Sequence, residues 1–181
     1  MDRDTLVRII PEFNLIEVEE LRENCIAVWK EAMEFRNWTE EELLNIPFTL
    51  LADNVKIMFL EHVRTVCKMS VACDEVLTKA YGDRKTAINR DYLVAGALLA
   101  DVGKLYEYEK KEGKVIKSKH GHYLRHPFSG VGLCFKYNIP DEVMHVVAMH
   151  SKEGDHFGRS PEAIILHHAD FIDFDLVSRV E

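Results

Sequence analysis

The chain has 181 residues, 47% of them hydrophobic, with a formal charge of −8 and an isoelectric point near 5.6. This length suits one domain with a sizeable core, and the apolar content excludes a disordered chain. An acidic surface repels phosphate backbones, so long nucleic acid is not an expected partner, although a small anion can still bind at a local metal or lysine.

No charged-then-apolar leader opens the chain, and no apolar run approaches the roughly 20 residues a membrane span needs. A cytoplasmic protein without membrane contact is the expectation. Cys25, Cys67, Cys73 and Cys134 form no closely spaced pair and sit in apolar helical runs, so they read as reduced core thiols.

In chain order, Val18, Leu21, Cys25, Val28, Trp29, Ala32 and Met33 recur at helical spacing and predict a helix over 17–36. Thr39 followed by Glu42 is a capping-box signal for a short helix before Pro47. A long helix is predicted from Asn54 to Tyr81, stopped by Gly82, with His62 on or beside its apolar stripe. Asn89 or Asp91 caps the next helix, whose apolar run spans 92–100. Residues 104–119 read either as a small hairpin around Glu112-Gly113 or as a helix end and a loop. Helices resume at 124–137, 141–150 and 161–177, with Asp141 and Ser160 as their N-terminal signals. The predicted fold is all-α, one domain over 1–181: a helical cap over 1–50 on a bundle over 55–177, packed around a central cavity. Trp29, Phe35, Trp38 and Phe48 either cover the bundle or form a homodimer face.

Nine histidines fall mostly in the second half, and imidazole with carboxylate suits transition-metal binding. In Ala100-Asp101-Val102-Gly103-Lys104, an apolar helix ends in an acid, a glycine and a lysine. A buried Asp needs a cation, which Lys104 or a metal could supply.

That segment resembles the signature of the HD phosphohydrolase superfamily, a His-Asp doublet after an apolar run. The resemblance covers about 55–177. It implies a helical bundle around a metal cavity, with His62, Asp101, His126, His150 and Asp170 as metal ligands. Asp101 would bridge one ion, on His62 and Asp170, and a second, on His126 and His150. One or two divalent transition ions (Mn, Fe, Zn, Ni or Co) are the implied cofactor. Lys104 is implied to face the substrate, and Arg125 is a candidate phosphate clamp. His120, His122, His145, His156, His167 and His168 are expected at the surface or behind the ligands.

The departure is Ala100, which stands where the family's doublet histidine would be. It is compatible with an introduced exchange, with a natural loss of ligand and activity, or with a natural site completed otherwise. The stretch from Ser160 to Asp170, with Gly154 and Gly158 before it, also resembles the tail of HD-type 3′-to-5′ exoribonucleases. The implied function is a metal-dependent hydrolase of a phosphomonoester or phosphodiester, with nucleotides among the candidate substrates, inactive or impaired here because of Ala100. The alternatives are a di-iron oxygenase of the same superfamily and a non-catalytic domain that binds a nucleotide or a partner.

Overall fold

The structure is a computed structural model that describes residues 1–51 and 55–177. Two short segments absent from the sequence reading open the chain: α1 (Arg3–Ile9) and a 3-10 turn (Pro11–Leu15). Asp2 caps α1 by accepting the Thr5 N–H. α2 (Glu19–Phe35) and α3 (Glu40–Asn45) follow, and α3 carries the expected capping box between Thr39 and Glu42. α4 (Phe59–Tyr81) starts later than predicted. The Glu61 carboxylate accepts the Met58 N–H and sets that start, while the proposed beginning at Asn54 lies outside the described residues.

α5 (Arg90–Leu99) is capped by Asn89, not Asp91. Asp91 instead accepts the backbone N–H groups of Glu17 and Val18 at 2.9 and 2.8 Å, tying the N-terminal region to the bundle. One turn, α6 (Lys104–Glu107), leads into an antiparallel hairpin, β1 (Tyr108–Lys111) and β2 (Lys114–Lys117), so 104–119 combines both readings. A short α7 (Lys119–Tyr123) precedes α8 (His126–Lys136), which was predicted to start at 124. The chain continues through α9 (Asp141–Met149) and ends in α10 (Pro161–Val177). Asp141 is the first helical residue rather than the cap, whereas Ser160 accepts the Ala163 N–H as expected.

α4, α5, α9 and α10 pack against one another, and α8 closes on α9. A single hydrophobic cluster runs from Leu6 in α1 to Ala169 in α10, so residues before 50 share the core of the bundle. Trp29 and Trp38 are buried, and their indole N–H groups donate to the carbonyls of Leu98 and Leu105 at 2.9 and 3.0 Å. Those carbonyls flank the turn that carries Asp101, so α2 and the residues after it buttress that turn from behind. Phe35 is half exposed and stacks on Tyr106. Cys25, Cys67 and Cys134 are core thiols as expected, but Cys73 is exposed on α4, where helical periodicity turns it outward.

Candidate metal centre

Asp101 is buried in the turn between α5 and α6. Gly103 lets this turn lie against α8, because a Cβ there would collide with the His126 carbonyl and the Gly130 nitrogen. That contact brings Asp101 beside His126, the first residue of α8.

The five expected ligands converge. Asp101 Oδ2 lies 3.1 Å from His62 Nε2, which is 3.0 Å from Asp170 Oδ1. Asp101 Oδ1 lies 3.2 Å from His126 Nε2 and 3.7 Å from His150 Nε2. Two groups result, His62–Asp101–Asp170 and Asp101–His126–His150, with ligand atoms in each within 4.8 Å of one another. Asp101 belongs to both.

Each ring is held from its far side. His62 Nδ1 is 2.6 Å from Asp173 Oδ2, His126 Nδ1 is 3.0 Å from Glu107 Oε2, and His150 Nδ1 donates to the Val147 carbonyl at 2.8 Å. Such partners fix the tautomer and aim Nε2 inward, as metal-binding histidines require. The sequence reading assigned no role to Asp173 or Glu107. Asp173 was detectable, three residues after Asp170 on one helix face. Glu107 had no such signal, because it reaches His126 only across the α6–α8 contact.

The segment after α9 is clamped as well. Arg159 donates to the carbonyls of Met149 and Ser151, and His167 Nδ1 lies 2.7 Å from the His150 carbonyl. Of the remaining histidines, His145 Nε2 accepts the Ser160 N–H and His120 meets Ser129 Oγ at 2.7 Å. His122, His156 and His168 are exposed.

Burial alone would lower the His62 pKa, but hydrogen bonds to Asp101, Asp170 and Asp173 overcome it and raise it to about 10. Burial holds His126 below its ordinary value despite Glu107. In His150, burial is outweighed by Asp101 and the pKa rises. Burial opposes ionisation of Asp101, but Lys104, His150 and His62 keep it well below the usual carboxylate range. In Asp170, burial is likewise outweighed, mainly by His62.

Lys104 is buried, and its Nζ donates to Asp101 Oδ2 at 2.8 Å and to the Phe48 carbonyl at 3.0 Å. Arg125, the candidate phosphate clamp, is half-buried and uses Nε on Glu153 and Nη1 on Glu107, both at 3.1 Å. Ala100 is buried at the end of α5 and brings no ligand atom.

The cluster forms the floor of a cavity of about 570 Å³. Phe48, Tyr108, Phe171 and Phe174 contribute apolar walls, while Lys104, Lys117, Arg125 and Lys152 bring positive charge to it. The donor set, two imidazole-carboxylate groups with inward Nε2 atoms, fits a divalent transition ion.

This helical bundle with its ordered His and Asp residues belongs to a known class: residues 59–175 match the HD domain family, and the chain is a member of it. Over 117 residues, 63% of the chain, it is 38% identical to a dihydroneopterin 2′,3′-cyclic phosphate phosphodiesterase of Methanocaldococcus jannaschii. The match spans 45% of that relative's length. No solved structure matches the chain. No described helix is long and apolar enough to cross a membrane.

Proposed function

We propose that this protein is a metal-dependent phosphohydrolase for a small phosphoester, with a phosphodiester on an aromatic or nucleoside-like group as the favoured substrate class. One observation carries this reading: Asp101 is shared by two metal-ligand groups on the floor of a partly cationic, partly aromatic cavity. The phosphodiesterase named among its relatives supports the diester.

A divalent ion on these residues would supply a hydroxide at neutral pH and neutralise charge on a phosphoryl oxygen. The protein's own residues do the rest. Glu107, Asp173 and Val147 hold the three imidazoles with Nε2 inward. Lys104 keeps Asp101 ionised and oriented. Lys117 and Lys152, which line the cavity beside the carboxylate-paired Lys104 and Arg125, can meet an anionic ester. Phe48, Phe171 and Phe174 offer an apolar face to the organic part of the substrate.

Ala100 supports a second reading, in which the domain binds such a ligand with little or no turnover. The test is hydrolysis of a nucleoside 2′,3′-cyclic phosphate and of a phosphomonoester, with Mn(II), by the chain and by Ala100→His. Hydrolysis by the chain, raised in Ala100→His, is the expected result. Binding without turnover by either form would establish the non-catalytic reading, and oxygen consumption with iron would establish the oxygenase alternative.

A further inference from the structure

The two halves of the cluster differ in what they already contain, and the difference bears on how many ions the chain holds. This argument rests on the metal-centre reading above. On the His150 side, the Val147 carbonyl can only accept, so Nδ1 of His150 carries the hydrogen. On the His126 side, Glu107 Oε2 accepts from both the backbone N–H and Nδ1 of His126, at 2.9 and 3.0 Å. With Nδ1 engaged on the far side, each ring turns Nε2 toward the cluster as its potential donor atom. Those two nitrogens lie 3.2 Å apart, and both face the same oxygen, Oδ1 of Asp101. Three potential donor atoms converging in a buried place form a site suited to one divalent ion.

The His62 side is built differently. Its share of Asp101 is Oδ2, and Lys104 Nζ already donates to that oxygen at 2.8 Å. The ammonium is buried and fixed by a second hydrogen bond, to the Phe48 carbonyl. The adjoining position on the chain is Ala100, which offers no donor atom. An ion here would have only His62, Asp170 and an oxygen shared with a neighbouring positive charge.

We propose that the chain holds a single divalent ion, on Asp101, His126 and His150, and that Lys104 serves as the resident cation of the His62 side in place of a second ion.

The experiment is Co(II) loading followed by elemental analysis of the unmodified chain, Asp170→Asn and His150→Gln, with far-ultraviolet circular dichroism confirming that each is folded. One Co(II) per chain is expected in the unmodified protein and in Asp170→Asn, and none in His150→Gln. Pulsed electron paramagnetic resonance of the Cu(II)-loaded unmodified chain provides a check that needs no variant, and two coupled imidazoles are expected. Two ions in the unmodified chain, or one ion lost by Asp170→Asn and kept by His150→Gln, would overturn the proposal and leave the metal-centre reading standing. A single coupled imidazole would do the same. No bound ion under any loading condition would overturn both.

Discussion

The His62 side and the His126–His150 side of the cluster use the same residue types and share Asp101, yet His62 and His126 are given opposite proton affinities by their surroundings. His62 is gripped by carboxylates at both ring nitrogens, which lift its pKa to about 10. His126 meets one carboxylate at Nδ1 and a second imidazole at Nε2, and burial prevails. The residue type therefore does not decide whether a histidine holds a proton or offers a lone pair. The number and placement of carboxylates around it do.

The largest expected effect removes the frame both sides depend on. Trp29→Ala takes a fully buried indole from behind the Asp101 turn and should destabilise the protein by about 3–5 kcal/mol in urea unfolding. Both metal-ligand groups would weaken with it, and a loss under about 1 kcal/mol would show that α2 does not buttress the turn.

Asp101→Ala comes next, because it strips the shared ligand from both sides. Metal affinity, read by competition with a chelator, should fall by more than about 100-fold, and hydrolysis with it. Retained affinity would break the picture of Asp101 as the residue common to both groups.

Two milder substitutions separate the sides. Glu107→Gln should cost about 10–100-fold in metal affinity by loosening His126. Asp173→Asn, which loosens His62 rather than His126 or His150, should change it by less than about threefold if the ion sits with His126 and His150. Equal losses would erase the distinction.

The subtlest test is pH, in the metal-free protein. His62 has a raised pKa, so its contribution to stability is fully present below 6.5 and is lost as pH rises through about 10. His126 has a lowered pKa and behaves oppositely, costing stability as pH falls below 6.5. Asp101 and Asp170, both depressed, contribute above 3.8 and lose that contribution as pH falls. Nitrogen-15 NMR of the imidazoles should show His62 protonated and His126 neutral at pH 7.5. A neutral His62 there would contradict the carboxylate grip.

Much of this was legible in the chain itself. The all-helical class and most helix spans follow from apolar periodicity and cap residues, and the five convergent side chains are singled out by the resemblance of their ordered His and Asp motifs to the HD family. Element starts were less legible. α4 begins at Phe59 because Glu61 reaches back to the Met58 N–H, a bond that periodicity does not reveal. α1 and the 3-10 turn after it are too short to show a period.

The sequence by itself determined which side chains could bind metal and that Ala100 brings no donor, because both are properties of residue type and order. Only the tertiary structure decided that Glu107, Asp173 and the Val147 carbonyl orient the imidazoles, that Arg125 is held by two carboxylates, and that Lys104 sits on Asp101. Most of those partners come from different turns or helices, so their distances, and the proton affinities that follow, exist only once the bundle has closed.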